Sequence, residues 1–354
     1  MVQQDSKSNT TPAAGEPALT GLLHGFSGEN PAEQLAVLVQ HGADQIPLPG
    51  SGRTLERWRG LAAVGSSSLG LAKLYEGHTD ALAILAELQM PMPAPEGARW
   101  AVWCAEPPGE RVEATPQPSG AAGRSGTPVV LSGRKPWCSG AQAIDHALVS
   151  GWLADGQRCL VAVSMHQPGI RIDAGTWQAV GMASSASADV CFDGALGVLV
   201  GEPGEYLSRP GFVHGGAGVA ACWYGAAAGI ASYLRDAAVH SKDPHRQAHL
   251  GAVDVALSSA ASLLRAAAAQ IDRTPALPCL LAVQRARLAV EAAAEEVLRR
   301  VPRAIGAGPL CKDRRLALLV ADLPVFVRQS HAERDQAALG AHLAEMQKEC
   351  PWTL

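Results

Sequence analysis

Hydrophobic and polar positions follow three successive patterns along this chain. Between residues 31 and 90, apolar residues recur every three to four positions, which predicts amphipathic helices. Between about residues 99 and 200, short β-branched runs such as VVLSG and CLVAVSM alternate with Gly, Pro and Ser turns. This texture is typical of strands in a compact barrel or sandwich. After residue 210 the helical pattern returns and continues.

The later helical region contains one segment that differs from the others. Residues 215–239 are small and nearly uncharged, which predicts a central buried helix. Residues 248–271 and 281–301 have the pattern of amphipathic helices. Their charged side chains, Arg287 and Glu291 among them, are expected in solvent or at a subunit interface.

These patterns predict an α+β multidomain protein. The alternating Met and Pro residues at 90–95 stop a helix and indicate a linker. The predicted modules, in chain order, are a flexible tail at residues 1–18, an N-terminal helical domain at 19–95, a central β-barrel or sandwich domain at 96–205 and a C-terminal helical bundle at 206–354.

Composition and charge exclude several classes of protein. The 354 residues carry a net charge of -4, whereas nucleic-acid binding requires a basic face. The sequence contains no run of 18 uninterrupted apolar residues, so it predicts no membrane span. The N-terminus lacks the pattern of a signal peptide. The eight cysteines form no CxxC pair, so we expect no metal site and no disulfide framework. A reducing cytoplasm fits this composition.

The stretch LSGRKPWCSGA, residues 131–141, carries the clearest indication of a ligand site. Trp137 offers a flat apolar face with one polar N–H group. Ser139 and Gly140 follow it and allow the backbone to approach a bound group closely. An aromatic plane, a hydroxyl and bare backbone together suit a planar heteroaromatic ring such as a flavin isoalloxazine.

This stretch also resembles the flavin-contacting strand of the acyl-CoA dehydrogenase superfamily. Further segments resemble that family in the same order along the chain, from about residue 65 to residue 340. They are residues 103–107 (WCAEP), 177–193 (WQAVGMASSASADVCFD), 206–212 and 328–340 (RQSHAERDQAALG). The resemblance implies the same three-module fold, a flavin between the β-domain and the bundle, and a homodimer or homotetramer.

The resemblance also implies how the protein is used. It predicts an FAD-dependent oxidoreductase, with FMN as the alternative, that takes a hydride from an acyl thioester or related carbonyl substrate. An electron acceptor would then reoxidise the flavin. The residues that correspond to cofactor contacts are Ala105, Trp137, Cys138, Ser139 and Trp177, with Arg246, Gly306 and Gly308 as candidates for the diphosphate.

The catalytic base of the family has no obvious counterpart here. The family places a Glu either on the last active-site turn or on the long central helix. The corresponding positions are Ser330 or His331 and Gly218 or Val219, and no acid occurs between residues 211 and 234. Glu333 lies near the first position. The sequence makes His331 the first candidate for the base, with Asp335, four residues later, able to polarise it.

A second branch of the superfamily accounts for other polar residues. Dibenzothiophene monooxygenase and its relatives use reduced flavin, supplied by a reductase, and oxygen. Their active-site His, Ser and His correspond to His78, Ser139 and His331. The alternative prediction is therefore a reduced-flavin monooxygenase. Because the usual Glu is missing, a catalytically silent protein that binds flavin or a partner is a third hypothesis.

Overall fold

The computed structural model describes residues 16–26, 30–91, 94–117, 124–346 and 352. Most of the predicted tail, residues 1–15, lies outside the described residues. The first helix begins at Glu16, within the residues predicted as the tail.

In the part of the chain that the structure describes, four helices precede the strands, and three of them are those that the hydrophobic period predicts. Asn30 caps the second helix by accepting a hydrogen bond from the Ala32 N–H at 3.1 Å. Ser68 lies alone between the third and fourth helices and caps the latter through the Leu71 N–H at 3.3 Å. The helices are α1 (Glu16–Gly25), α2 (Pro31–Gln40), α3 (Thr54–Ser67) and α4 (Leu69–Glu87).

The central region forms a closed barrel. Its strands are β1 (Trp100–Trp103), β2 (Val112–Pro116), β3 (Pro128–Cys138), β4 (His146–Trp152), β5 (Arg158–Ser164), β6 (Ile170–Asp173) and β7 (Ala188–Leu199). Pairing runs β4-β2-β3-β7-β5 and returns to β4, while β1 extends from β4 and β6 from β7. Side chains that alternate inward along these strands fill a separate hydrophobic core.

Among the described residues, seven helices follow the barrel. They are α5 (Glu205–Ser208), α6 (Pro210–Val239), α7 (Pro244–Arg273), α8 (Leu280–Ile305), α9 (Ala307–Lys312), α10 (Arg314–Phe326) and α11 (Glu333–Glu345). The predicted buried helix is α6, which begins five residues earlier than its small-residue pattern. Short 3₁₀ turns occur at Ala174–Thr176, Ala183–Ser185 and Val327–Gln329.

The helices before and after the barrel share one hydrophobic core. Helices α3 and α6 cross closely because small residues face each other. A Cβ on Gly65 would overlap the Cys222 carbonyl, and one on Gly225 would overlap the Ala62 carbonyl. The N-terminal helices therefore pack as part of the bundle, although they are separate from it in the sequence.

Two helices, α6 and α7, are long and apolar enough to cross a membrane by length and composition alone. In α6, 72% of the most apolar window is buried inside the protein, and in α7 the value is 33%. Core helices of folded proteins pass the same test, so α6 is explained by its central position in the bundle.

Candidate functional site

A large cavity of about 910 Å³ opens between the barrel and the helices. Its volume lies in the upper part of the range of small-molecule sites, roughly 300–1,000 Å³. One wall comes from β1 and the end of β3, and the others come from α4, α6, α8 and the turn after α10. Apolar side chains cover most of the surface, and they include Val102, Trp177, Phe212, Val219, Leu288 and Phe326.

Trp137 reaches this cavity because β3 is irregular at its end. The pairing of β3 with β7 shifts between Lys135 and Cys138. Trp137 sits in that bulge with φ = 58°, a conformation uncommon for a residue with a side chain. Its side chain is 55% exposed and turns out of the barrel towards the cavity. The bulge therefore presents an aromatic face where the sequence predicts one.

Three serine hydroxyls form a chain along the barrel wall of the cavity. Ser139 Oγ lies 2.9 Å from Ser187 Oγ, which lies 2.9 Å from Ser185 Oγ. Ser185 Oγ donates to the Met182 carbonyl at 2.7 Å, which fixes one end of the chain. All three serines are buried in the protein and line the cavity. These linked serines, the serine chain, hold their hydroxyl groups at fixed positions where a ligand in the cavity can bind them.

The segment that carries two of these serines is braced by α10. Asp322 on α10 accepts a hydrogen bond from the Met182 N–H at 2.6 Å. Burial raises the pKa of Asp322, and this hydrogen bond opposes the rise. Asp322 therefore braces the loop that precedes β7.

Helix α4 directs three ionisable side chains into the cavity: Lys73, Glu76 and Asp80. They are three and four residues apart and so lie on one face of the helix. Lys73 Nζ and Glu76 Oε2 form an ion pair at 2.9 Å. No hydrogen bond or ion pair to Asp80 occurs within the part of the chain that the structure describes. Asp80 is the unpaired carboxylate of this face.

Burial and neighbouring charges raise the pKa of Asp80 and that of Lys73 for different reasons. Burial raises the pKa of the Asp80 carboxyl, and the neighbouring Glu76 carboxylate raises it further. The guanidinium groups of Arg209 and Arg57, with Lys73, act in the opposite direction without reversing the shift. Burial lowers the pKa of Lys73, but its charge interaction and hydrogen bond with Glu76 outweigh this effect and raise it overall.

His78 lies on a different face of α4 and does not line the cavity. The Trp100 N–H donates to His78 Nδ1 at 3.0 Å, so the ring proton is on Nε2. Nε2 lies 3.0 Å from Asp44 Oδ2 and donates to it. Both ring nitrogens are therefore engaged in the core, and the side chain is 1% exposed. His78 therefore packs in the core, away from the cavity in which the sequence predicts it.

The turn after α10 brings His331 to the cavity. The side chain of His331 is 61% exposed, and its Nδ1 lies 3.5 Å from Asp335 Oδ1. Asp335 Oδ2 also accepts the His331 backbone N–H at 3.0 Å. The expected pairing with Asp335 is present, and it forms from a turn that precedes α11.

Of the other residues near this turn, Arg328 lines the cavity, whereas Ser330 and Glu333 are not part of its lining. Ser330 is buried, and its hydroxyl donates to Glu291 on α8 and contacts Asp335 Oδ2 at 3.4 Å. Arg328 donates a hydrogen bond to Glu291 at 2.9 Å and so braces the turn. Glu333 is exposed at the start of α11.

Two further arginines contribute to the cavity and were not singled out as site residues from the sequence. Arg209 is buried, forms a 2.6 Å ion pair with Glu87, and lies over the Tyr206 ring. Arg287 lines the cavity, donates to the Gly216 carbonyl and lies over the Trp223 ring. The sequence predicts Arg287 and Glu291 in solvent or at a subunit interface. Within the single chain, Arg287 contacts α6, and Glu291 is buried beneath the turn after α10.

The predicted cofactor residues separate into two groups. Ala105, Trp137, Ser139 and Trp177 line the cavity together. Cys138 is 0% exposed and belongs to the barrel core, because alternation along β3 directs it opposite to Trp137. Burial raises the pKa of its thiol well above the usual value. Cys138 therefore fills the core and makes no contact with the cavity.

The residues predicted for a diphosphate lie away from the cavity of the single chain. Arg246 donates to the carbonyls of Ala304 at 3.2 Å and Ala237 at 3.3 Å, near the ends of α8 and α6. Gly306 ends α8 with φ = 75°, and Gly308 lies within α9. Their local role is to cap and connect helices.

Several buried polar atoms of the cavity wall have no partner among the described residues. These are Trp177 Nε1, Arg209 Nε and Gln284 Oε1. Since buried polar groups are nearly always hydrogen-bonded, they indicate that a ligand completes this site. With the exposed Trp137 face and the serine chain, the donors and planes present fit a flavin ring, whose chemistry when bound is two-electron transfer.

Comparison with known proteins gives structural neighbours only. No protein-family model matches the sequence, and no curated protein matches it. Butyryl-CoA dehydrogenase from Megasphaera elsdenii superposes with a TM-score of 0.78 at 15% identity, covering 96% of this chain and 100% of that one. KijD3 in complex with dTDP gives 0.76 at 17% identity, covering 93% and 94%.

A monooxygenase is also among the neighbours. Dibenzothiophene monooxygenase from Paenibacillus sp. A11-2 has a TM-score of 0.68 at 18% identity, covering 91% of this chain and 96% of that chain. At such identities the agreement concerns architecture, and it extends over the helices, the barrel and the bundle. The chain has the acyl-CoA dehydrogenase fold.

Proposed function

We propose that this protein is a flavin-dependent oxidoreductase that takes a hydride from an acyl thioester or a related carbonyl compound. The observation that carries the proposal is the convergence of Trp137, the serine chain and the unpaired Asp80 on one apolar cavity. An aromatic plane and hydroxyl donors suit the cofactor, and a largely apolar chamber with one unpaired carboxylate suits removal of a proton from carbon.

Different residues of this chain would bind the flavin and enclose the substrate. Trp137 and Trp177 would hold the flavin ring by their faces, and the hydroxyls of Ser139 and Ser187 would hydrogen-bond its polar edge. The apolar side chains of α6 and α8 would enclose the substrate and exclude water. FAD is the proposed form of the cofactor, and a separate electron acceptor would complete the cycle.

The test begins with the protein purified, desalted and examined by absorbance, with any released cofactor identified by mass. The FAD-loaded protein is then mixed without oxygen with acyl-CoA thioesters of increasing chain length. Bleaching of the flavin absorbance by at least one thioester supports the proposal. A flavin that remains oxidised with every thioester contradicts it.

A reduced-flavin monooxygenase is the second candidate. Ser139 and His331 both line the cavity, and the dibenzothiophene monooxygenase shares the fold. The third residue of that set, His78, is held in the core by Asp44 and Trp100. The dehydrogenase proposal therefore accounts for more of the residues that line the cavity than the monooxygenase proposal does. Oxygen consumption that depends on an added flavin reductase, with weak binding of oxidised FMN, would favour the monooxygenase.

A further inference from the structure

Three carboxylates line the cavity, and two of them are already engaged. Glu76 is paired with Lys73 at 2.9 Å. Asp335 accepts the His331 N–H at 3.0 Å and contacts Ser330 Oγ at 3.4 Å. A proton acceptor needs a free lone pair directed at the substrate. Only Asp80 meets that requirement among the cavity carboxylates of the described chain.

The surroundings of Asp80 keep its carboxylate open to the cavity. It lies on α4 opposite Gly215 of α6, and a Cβ at that position would be 3.0 Å from Asp80 Oδ1. The absence of a side chain at position 215 leaves space for the carboxylate and for a substrate beside it. The interior charges and titratable groups around Asp80 are Glu76, Arg209, Arg57, Lys73 and Tyr206.

His331 is less suited to the same task. Its side chain is 61% exposed, and the Asp335 carboxylate is 3.5 Å from its Nδ1. A base in open solvent gains little from a dry, preorganised site. Asp80 is enclosed by α4, α6 and the buried Arg209, and burial raises the pKa of its carboxyl towards the range useful for accepting a proton from carbon.

We propose that Asp80 is the general base that removes the proton from the substrate carbon next to the carbonyl. This inference rests on the proposed function and moves the base from the last turn or the central helix to α4. The carbon–hydrogen bond breaks with its electron pair left on carbon, and the proton passes to the Asp80 carboxylate. A hydride leaves the adjacent carbon for oxidised FAD, the oxidant of this reaction, and a double bond forms between the two carbons.

The experiment compares the FAD-loaded wild type with Asp80→Asn, Asp80→Glu and Asp254→Asn. Asp254 is exposed on α7 and serves as the matched control. The probe is butyryl-CoA, or the thioester that bleaches the wild type fastest. We expect Asp80→Asn to slow bleaching roughly 10²- to 10⁴-fold, as loss of a general base does. The dissociation constant of the thioester should change less than about threefold, because the proton transfer and not the binding is lost. Asp80→Glu should recover part of the rate, and Asp254→Asn should match the wild type.

A second measurement follows the proton alone. With the flavin reduced beforehand and oxygen absent, hydride transfer is blocked, so incubation of the thioester in D₂O reports proton removal by mass. Wild type should introduce deuterium, and Asp80→Asn should not. An infrared difference spectrum between the two proteins should also show a carboxylic acid band that titrates above the usual pKa of Asp, about 3.9.

The outcomes separate the two proposals. If no thioester bleaches the wild-type flavin, the proposed function fails and the role of Asp80 fails with it. If the wild type is bleached and Asp80→Asn reacts at the same rate, the function stands and Asp80 is not the base. A variant that binds thioester weakly but reacts at full rate when saturated would make Asp80 a substrate anchor, which also overturns the inference.

Discussion

Asp80 Oδ1 lies 3.0 Å from the point where Gly215 would carry a Cβ. The two residues belong to α4 and α6, helices far apart in the sequence, and both line the cavity. A glycine in the first turns of α6 lowers helix stability, since glycine costs about 1 kcal/mol relative to alanine. The site therefore keeps space for the carboxylate at a cost in helix stability.

Gly215→Ala tests this relationship. The new Cβ should displace the Asp80 carboxylate by a few tenths of an ångström. We expect flavin bleaching to slow at least about tenfold, because a base must be within hydrogen-bond reach of its proton. Gly251→Ala is the matched control, since a Cβ there meets nothing within 4 Å on α7. Equal rates in the two variants would contradict the prediction, and melting temperatures would show that both fold.

The stability of the protein should depend on pH through Asp80. Burial and Glu76 raise the pKa of Asp80, so the folded state holds this proton more tightly than the unfolded state. The resulting stabilisation is fully present below the unfolded pKa, about 3.9, and is lost as the pH rises through the folded pKa. Asp80→Asn should therefore be more stable than wild type in urea at pH 7, and the difference should disappear near pH 4. A less stable variant at pH 7 would contradict the raised pKa.

The prediction for His78 concerns the stability of the fold and not catalysis. Removing its ring leaves Asp44 and the Trp100 N–H without a partner in the core. His78→Ala should lower the free energy of unfolding by about 2–4 kcal/mol, from lost packing and unsatisfied polar groups. Flavin affinity of the folded fraction should not change. If His78→Ala is as stable as the wild type but has lost turnover, His78 has a catalytic role and the prediction is wrong.

The contrast between His78 and Asp80 shows what the sequence could and could not predict about the site. Both lie on α4, and the 3.6-residue period predicts that helix well. Residue 78 is two positions from residues 76 and 80, so its side chain leaves the helix on another face. The sequence indicates that these faces differ but not which one the cavity adjoins, because that depends on how β1 and α6 pack against α4.

The barrel side of the cavity was more accessible to sequence reasoning. Trp137 and Ser139 were predicted together because an aromatic residue, a hydroxyl and a glycine occur within four positions. Ser185 and Ser187 lie almost fifty residues away and carry no local signal. They join the site only through the pairing of β3 with β7, which brings Ser187 Oγ to 2.9 Å from Ser139 Oγ.

Arg328 gives a prediction for the turn that carries His331. Glu291 is buried, and its carboxylate receives hydrogen bonds from Arg328 at 2.9 Å and from Ser330. Arg328→Ala leaves this carboxylate with one partner, so we expect a loss of about 1–3 kcal/mol in the free energy of unfolding. Arg299→Ala is the control, because Arg299 is exposed and its partner Glu296 also pairs with Arg300, so this ion pair should contribute less than about 1 kcal/mol. Similar losses in both variants would show that the turn does not depend on this bridge.

Ser187→Ala tests the serine chain as a part of the flavin site. Ser187 Oγ is the middle hydroxyl and lies 2.9 Å from both Ser139 Oγ and Ser185 Oγ. Its removal leaves Ser139 without a side-chain partner, and Ser139 should then adopt several rotamers. We expect flavin affinity to fall about fivefold to tenfold, consistent with one lost neutral hydrogen bond of about 1 kcal/mol.

The affinity is measured by titrating the desalted protein with FAD and monitoring the quenching of flavin fluorescence. Ser259→Ala, on the exposed face of α7, should bind FAD as the wild type does. If Ser187→Ala also binds FAD with wild-type affinity, the hydroxyl chain serves only the barrel, and the flavin edge must be held by other donors of the cavity such as the Trp177 indole N–H.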